Sequence, residues 1–342
     1  MIKGIFNSSE FLTLESGDIL HGLDIAYTTQ GKLNADKSNV VWVVHALTGD
    51  AHPEIWWKGI IGDQGFFDAE RYFIVCANLL GSPYGSTSPL SLRKDSGEPF
   101  YSSFPPLTTR DMANSLDKLR EHLQLTQLQV LIGGSLGGQV ALEWSISLGS
   151  KLGHAIIIAA SSKSSPWLIG FNQAQRMAIS SDSSWGKNNP EAGSKGLMAA
   201  RAMAMLSYRN PEDLNAKQKD NLEKLDGFLA SSYISYQGEK LAKRFNAFSY
   251  WTLTKTMDSH DVGRSRGGID LALQSIQAKV LAIGINSDLL FLAEEVQLIS
   301  QKVSQGVYKE IKSTVGHDAF LVEFEQLKTI LSSYFSEKIT ST

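Results

Sequence analysis

The sequence contains little cysteine: Cys76 is the only one in 342 residues. A single thiol cannot form a disulfide within the chain, and the Ala77 and Asn78 that follow it provide no spacing typical of metal ligands. The sequence therefore excludes a disulfide-linked scaffold. It predicts a protein of a reducing compartment that holds no metal.

Long apolar runs and an excess of one charge are also missing. No stretch approaches the roughly 20 apolar residues that a membrane helix needs, and "MIKGIFNSSEFLTLESG" at the start has no signal-peptide core or cleavage site. The net charge is -3, which gives no basic surface for nucleic acid or for an anionic membrane. We expect a cytoplasmic protein with neither a membrane nor a nucleic acid among its partners.

Apolar runs typical of strands alternate with helical patterns through most of the chain. "FLTLESG" and "LDIAYTTQG" predict an antiparallel hairpin, and further strands are predicted in "NVVWVVHAL", "YFIVCANLL", "LQVLIGGS", "HAIIIAAS", "VLAIGINSD" and "VYKEIKS". The continuous apolar runs are typical of parallel strands that are buried on both faces. A helix is predicted between two of them, and we expect it to begin with a capping box from Thr108 to Asp111. Its apolar stripe is Met112, Leu116, Leu119 and Leu123. This order predicts an α/β-hydrolase fold with a mostly parallel eight-stranded sheet.

The alternation stops between residues 161 and 267. This range contains helical spacings, such as "SKGLMAARAMAMLSYR", and no convincing strand. We therefore predict a helical cap at 161–267, inserted into a core domain made of residues 1–160 and 268–342. With 42% apolar residues, a chain of this length can bury both parts.

One serine is surrounded by glycines where a predicted strand turns directly into a predicted helix. The segment "VLIGGSLGGQVALEW" contains Gly133-Gly134-Ser135-Leu136-Gly137, which matches the nucleophile elbow G-x-S-x-G in its strand, turn and helix context. An ordinary glycine-rich turn would give the same five letters. The interpretation of Ser135 as a nucleophile therefore depends on partners elsewhere in the chain.

Two such partners occur in the order that this fold requires, which is serine, then acid, then histidine. Asp288 follows the predicted strand "VLAIGIN", and His317 lies in the loop "TVGHDAF" before the last helix. We predict that His317 is the general base and that Asp288 orients it. Taken singly, His317 would be an ordinary loop histidine, and Asp288 a turn or helix-capping residue.

Acyl transfer also needs hydrogen-bond donors for the negatively charged oxygen of the intermediate. We predict the amide of Leu136, next to the nucleophile, and the amide of Leu47 in "VVHALTGDAH", with the Ala46 amide as the alternative. His45, at the end of that strand, is expected to shape the loop; a role as ligand or base is the less favoured interpretation.

Several blocks of the sequence together resemble one family. They are "HALTGDAH", "NLLGSPYGSTSP", "PLTTRDM", "GGSLGGQVALEW", "ARAMAMLSYR" and "GHDAFLVE", spread from about Phe11 to Phe335. In this respect the chain is similar to homoserine O-acetyltransferases of the α/β-hydrolase superfamily. The resemblance implies acyl transfer from acetyl-CoA to L-homoserine in methionine biosynthesis, through an acyl-serine, in a protein that is usually a homodimer. It implies no bound cofactor and leaves the residues that hold CoA unknown.

The resemblance also implies substrate-binding residues. Arg201 matches the family's arginine near the active site, which suits the acceptor carboxylate because a guanidinium can bind it with two hydrogen bonds. Asp318 matches the family's acid after the catalytic histidine and is expected to hold the acceptor ammonium; the alternative is an N-cap of a helix that begins at Ala319, and both roles can coexist. Tyr208 and Arg209 are weaker candidates. Alternatives that remain open are succinyl-CoA as donor, L-serine as acceptor, and an esterase with the same triad.

Acetyl-CoA is the preferred donor because a buried succinyl carboxylate would need a cation. Arg201, which the matched blocks place near the serine, is already assigned to homoserine. Lys163 and Arg176 of the cap remain candidates for a second cation.

Overall fold

The protein is described by a computed structural model that covers residues 1–221 and 223–336. Within these residues, eight strands form a single sheet in the order β1-β2-β4-β3-β5-β6-β7-β8. The first two strands form an antiparallel hairpin, β2 pairs antiparallel with β4, and the remaining neighbours are parallel. The strands are β1 Ile2–Thr13, β2 Ile19–Gln30, β3 Val40–Val44, β4 Phe73–Ala77, β5 Leu128–Gly134, β6 Leu152–Ile158, β7 Lys279–Ile285 and β8 Gly306–Ile311. The predicted hairpin and the mostly parallel sheet are confirmed.

Helices follow the strands and cover both faces of the sheet. They are α1 Pro53–Trp56, α2 Thr109–His122, α3 Leu136–Leu148, α4 Pro166–Ser180, α5 Ser194–Tyr208, α6 Pro211–Lys217, α7 Leu229–Ala242, α8 Ala247–Asp258, α9 Ile269–Gln274, α10 Ala293–Lys302 and α11 Phe324–Ser336. Three short 3₁₀ helices span Tyr101–Ser103, Gly149–Lys151 and His317–Leu321. Apolar residues of α2, α3, α9 and α10 pack on one face of the sheet, and those of α11 pack on the other. The inner strands are consequently mostly apolar, and all five residues of β3 are apolar and buried.

Helix α2 begins with the predicted capping box. The Thr108 hydroxyl accepts a hydrogen bond from the Asp111 amide at 3.2 Å, and the Asp111 carboxylate accepts one from the Thr108 amide at 2.8 Å. Of the predicted apolar stripe, Met112, Leu116 and Leu119 are fully buried against the sheet. Leu123 is partly buried at the end of the helix.

Helices α4 to α8 occupy the range for which the sequence predicts a cap. We call this range, residues 161–267, the cap. Helix α5 packs against α4 and α7, and α4 also packs against α8. The buried ring of His260 joins this group to the core, with its two nitrogens 2.8 Å from Thr109 Oγ1 and 3.0 Å from the Ser161 carbonyl oxygen. Burial lowers the pKa of His260 to about 4, so the ring is neutral at physiological pH.

The close packing of α3 against β3 predicts that Gly137, one of the glycines around Ser135, cannot carry a side chain. A Cβ at Gly137 would lie 2.2 Å from the Val44 carbonyl oxygen, whereas a Cβ at Gly170 of α4 meets no atom within 4 Å. We expect Gly137→Ala to lower the free energy of unfolding by about 1–3 kcal/mol or more. The control Gly170→Ala should raise it by about 0.5–1 kcal/mol, because alanine favours a helix. Chemical denaturation of both variants measures the two effects, and an unchanged midpoint for Gly137→Ala would contradict the packing argument.

Candidate active site

Ser135 occupies a strained turn between β5 and α3. Its φ of 57° and ψ of -127° lie in a region that side-chain-bearing residues rarely adopt. The neighbouring glycines allow the chain to pass through this turn, because a Cβ at Gly133 would lie 2.3 Å from the Gly137 carbonyl oxygen. A Cβ at Gly134 would lie 2.5 Å from the Phe320 ring. The glycines therefore remove the side chains that would prevent the turn from forming.

The structure brings the three predicted triad residues together. His317 Nε2 lies 2.9 Å from Ser135 Oγ, and His317 Nδ1 lies 2.7 Å from Asp288 Oδ2. All three residues are buried. When Nδ1–H donates a hydrogen bond to the carboxylate, Nε2 is free to accept the proton of the serine hydroxyl. The arrangement has the geometry of a serine nucleophile with an oriented base.

The carboxylate of Asp288 divides its two oxygens between two tasks. While Oδ2 faces His317, Oδ1 accepts hydrogen bonds from the amides of Leu290 and Phe291 at 2.7 and 3.0 Å. Asp288 therefore also stabilises a turn, which is the alternative role that the sequence suggested for it. Helix capping is not, since α10 begins later, with Leu292 as its N-cap.

Two opposing effects act on His317. Burial of the ring lowers its pKa, but the negative charge of Asp288, the hydrogen bond that the ring donates to that carboxylate and the charge of Asp318 together raise the pKa above its ordinary value. The ring also packs between Phe291 and Tyr208, whose ring centroids lie 5.4 and 5.6 Å away. These contacts hold the imidazole in the orientation that both hydrogen bonds require.

The loop after β3 presents the second predicted oxyanion donor. His45 Nδ1 lies 2.8 Å from the Ala46 carbonyl oxygen, and His45 Nε2 accepts the Leu79 amide at 2.9 Å. Burial lowers the pKa of His45, which suits a neutral ring that donates from one nitrogen and accepts at the other. His45 therefore shapes the loop, as expected from the sequence, and its ring nitrogens are turned to this loop and to Leu79.

The amides of Leu47 and Leu136 have no hydrogen-bond acceptor within residues 1–221 and 223–336. Leu136 is the first residue of α3, where amides lack intrahelical partners and lie at the positive end of the helix dipole. Leu47 lines the same cavity as Ser135 and His317. Both amides thus remain free to bind a negatively charged oxygen.

A cavity of about 350 Å³ connects the triad to the cap helices. Core and cap contribute to its walls together, through Ala46, Leu47, Thr48, Gly49, Asp50, Ile55, Trp56, Ser135, Arg201, Tyr208, Arg244, His317, Asp318, Phe320 and Leu321. Both predicted acceptor-binding residues, Arg201 and Asp318, lie in this lining. The sequence could not have placed Ile55 or Trp56 here, because their apolar character fits buried packing equally well.

Arg201 and Asp318 differ in their surroundings. The Arg201 guanidinium lies over the Tyr208 ring, 5.2 Å from its centroid, and forms no ion pair within the described part of the chain. Asp318 Oδ2 lies 3.4 Å from Arg209 Nη2. Asp318 does not cap a helix: the residue before the 3₁₀ helix is Gly316, and Asp318 lies inside its first turn. The helix-capping alternative is therefore wrong.

Arg244 is a cation in the cavity that the sequence analysis missed. It comes from the connection between α7 and α8, so the expectation of Arg201 as the cation near the serine is incomplete. The two cap candidates lie elsewhere, since Lys163 pairs with Asp261 at 3.0 Å and Arg176 with Asp258 at 2.5 Å. Arg244 lies in the segment "LAKRFNAFSY". The periodicity of this segment indicates where a helix starts, but it does not indicate which of its side chains contacts the core.

Comparisons with known proteins identify the family to which the chain belongs. The alpha/beta hydrolase fold family matches residues 39–324. A homoserine O-acetyltransferase of Cyclobacterium marinum is 58% identical over 98% of this chain and 96% of its own length. The chain belongs to the homoserine O-acetyltransferase family.

Solved structures of similar shape include members of this family and esterases. The homoserine O-acetyltransferase of Bacillus anthracis has a TM-score of 0.89 at 23% identity, covering 96% of this chain and 95% of its own. Esterase E22 also has a TM-score of 0.89, at 22% identity, covering 97% and 99%. At this level of identity the two structures show the fold alone. No helix among the described residues of this homoserine O-acetyltransferase family member is long and apolar enough to cross a membrane.

The raised pKa of His317 predicts the acid side of the pH–rate profile. If His317 is the general base, as predicted, it must be neutral to accept the serine proton. Thiol release from an acyl-CoA should then fall with decreasing pH through a pKa above that of an ordinary histidine. Asp318→Asn removes one of the charges that raise this pKa and should shift the fall to lower pH. The measurement is kcat/KM for thiol release without an acceptor, across a pH series.

Glu10→Gln is the control for that shift. Glu10 lies on β1, at the edge of the sheet, and pairs with Lys118. Its profile should coincide with that of the unmodified protein. A shift of Asp318→Asn to higher pH would contradict the electrostatic explanation.

Proposed function

We propose that this protein transfers the acetyl group of acetyl-CoA to the hydroxyl of L-homoserine, through an acetyl-Ser135 intermediate, in methionine biosynthesis. The observation that carries the proposal is the Ser135–His317–Asp288 arrangement, 2.9 and 2.7 Å apart, in a chain 58% identical to a homoserine O-acetyltransferase. The family resemblance further suggests a homodimer in the cytoplasm.

The first half of the proposed reaction acylates the enzyme. His317 Nε2 takes the proton of Ser135 as Oγ attacks the thioester carbonyl carbon. The amides of Leu47 and Leu136 bind the oxygen on which negative charge develops. Collapse of the tetrahedral intermediate breaks the carbon–sulfur bond, and His317 returns the proton to the leaving CoA thiolate. Acetyl-Ser135 and free CoA remain, with His317 neutral again.

The second half transfers the acetyl group to homoserine. Arg201 would bind the α-carboxylate of homoserine, and Asp318 would bind its ammonium group. His317 then removes the proton of the homoserine hydroxyl, whose oxygen attacks the acetyl-Ser135 carbonyl carbon. Cleavage of the bond to Ser135 Oγ releases O-acetyl-L-homoserine, and His317 gives its proton back to the serine.

Water competes with homoserine for the acyl-enzyme, so transfer requires a shielded cavity. Cap residues Arg201, Tyr208 and Arg244 form part of the cavity wall around Ser135, which favours transfer over hydrolysis. The esterase alternative shares the fold and the triad. A pair of opposite charges suited to an amino acid, Arg201 and Asp318, favours the transferase.

The preference for acetyl-CoA over succinyl-CoA now has different support. The charge argument from sequence is weakened, because Arg244 adds a second cation to the cavity. Support comes instead from the relatives, which are named as acetyltransferases, and from the contacts that Arg244 already makes with Thr48 and Tyr84. L-serine remains the alternative acceptor.

Mass spectrometry of the intact protein tests the donor and the nucleophile together. Mixing with acetyl-CoA should add one acetyl group, and later addition of L-homoserine should remove it and yield O-acetyl-L-homoserine. Succinyl-CoA and L-serine are run in parallel and should react more slowly. Ser135→Ala removes the attacking hydroxyl and should show no added mass. An acetylated Ser135→Ala protein would refute the assignment of the nucleophile, and acetyl loss to water at the rate seen with homoserine would favour the esterase.

Arg201→Ala separates the two half-reactions. If Arg201 binds the acceptor carboxylate, thiol release without homoserine should stay close to normal. The apparent affinity for homoserine should fall about ten- to a hundredfold, since a hydrogen bond to a charged group contributes about 1.5–3 kcal/mol. Lys195→Ala, which removes an exposed cation from the same helix, is the matched control and should change neither rate. Equal loss in both half-reactions would mark Arg201 as a structural residue.

A further inference from the structure

Arg244 reaches from the cap to the loop that carries the predicted oxyanion donor. Its Nη1 donates a hydrogen bond to the Thr48 carbonyl oxygen at 2.8 Å and also contacts the Tyr84 hydroxyl. Thr48 follows Leu47 directly in the chain. The guanidinium therefore sits one residue away from the amide proposed to bind the oxyanion.

The partners of Arg244 are neutral. Within residues 1–221 and 223–336, its guanidinium forms no ion pair with a carboxylate. An ordinary surface ion pair consequently does not explain its position. Its positive charge is directed at a backbone carbonyl on the wall of the catalytic cavity.

Two peptide units connect this carbonyl to the Leu47 amide. The Thr48 carbonyl belongs to the same peptide unit as the Gly49 amide, which donates to the Ala46 carbonyl oxygen at 2.9 Å. The Ala46 carbonyl in turn belongs to the same peptide unit as the Leu47 amide. No cis peptide occurs among the described residues, so the amide and the carbonyl of each unit point in opposite directions. A continuous series of hydrogen bonds thus runs from Arg244 to the Leu47 N–H.

The hydrogen bonds of this series all polarise the peptide units in the same direction, from Arg244 toward the Leu47 amide. Each carbonyl that accepts a hydrogen bond becomes more polarised, and its own peptide N–H becomes a stronger donor. A charged donor at one end strengthens the whole series more than a neutral donor would. The far end of this one is an N–H without an acceptor among the described residues.

The rest of the loop is held by the core. His45 binds the Ala46 carbonyl and the Leu79 amide, while the Asn78 side chain accepts the Ala51 amide at 2.8 Å. At the Thr48 carbonyl, the described hydrogen bond comes from Arg244 in the cap. The loop is therefore fixed on both sides of Thr48 by the core and at Thr48 itself by the cap.

We propose that Arg244 is a positioning residue for the oxyanion hole: through the Thr48–Gly49 and Ala46–Leu47 peptide units it aligns and polarises the Leu47 amide. The inference rests on the proposed function, since it takes Leu47 as an oxyanion donor. It also makes the cap part of the catalytic geometry, because a displaced cap would withdraw this support.

The proposal predicts a specific kinetic pattern. Both half-reactions pass through a tetrahedral intermediate, so Arg244→Ala should slow acetylation of Ser135 and transfer to homoserine alike. We expect a loss of about 10- to 100-fold in each rate constant, less than the loss of a whole oxyanion donor because the Leu47 amide remains. The apparent affinities for acetyl-CoA and homoserine should change by less than about threefold. Rapid-mixing measurements of thiol release, and of acetyl transfer from the preformed acetyl-enzyme, give these constants.

Three further variants make the test decisive. Arg244→Lys keeps a charged donor and should recover most of both rates, whereas Arg244→Gln keeps a neutral donor and should recover less. Lys243→Ala removes the adjacent exposed cation and should match the unmodified protein. Thermal melts and titration of acetylated Ser135 establish that each variant is folded. Should Arg244→Ala fail to fold, the comparison of Lys with Gln takes its place.

Other outcomes would overturn the proposal. A loss confined to acetyl-CoA affinity would make Arg244 a donor-binding residue, and a loss confined to the second half-reaction would make it an acceptor-binding residue. Rates that fall only in proportion to the folded fraction would make it a structural residue. If the unmodified protein forms no acetyl-enzyme, the proposed function fails first, and this result is visible before any Arg244 variant is measured.

Discussion

The turn at Ser135 is the constraint on which the rest of the site depends. A strand that becomes a helix within one residue forces that residue to a positive φ, here 57°, and brings β5, α3 and β3 into backbone contact. Only hydrogen atoms fit at Gly133 and Gly137 in this arrangement. The strain is maintained by the packing of α3 between the sheet and α2, which buries most of that helix. What results is a hydroxyl beside a helix N-terminus, where free amides are already in place.

Local patterns were sufficient to predict much of this structure. The elbow glycines, the capping box at Thr108 and the apolar strands each depend on neighbours in sequence, and the structure confirms the fold that they indicate. Asp288 and His317 could be proposed because the chain order of a serine triad is tied to the strand order. Their roles, like those of Leu47, Leu136, Arg201 and Asp318, are still predictions.

Other parts of the site could not be read from sequence, because they arise from contacts between distant elements. Arg244 meets Thr48 across 196 residues of sequence, and nothing in the cap helices indicates which side chain faces the core. The pairing of Asp318 with Arg209 likewise depends on where α5 ends relative to the last 3₁₀ helix. Helical periodicity identifies a buried face but not the partner that buries it.

The spacing of the triad along the chain has a consequence for biosynthesis of the protein. Ser135 lies in the first half of the sequence, whereas its base is 182 residues further on, close to the C-terminal helix. A nascent chain that does not yet extend to His317 contains the residues of the elbow but lacks the predicted base. Under the proposed function, Ser135 of such a chain is not activated and cannot attack an acyl-CoA.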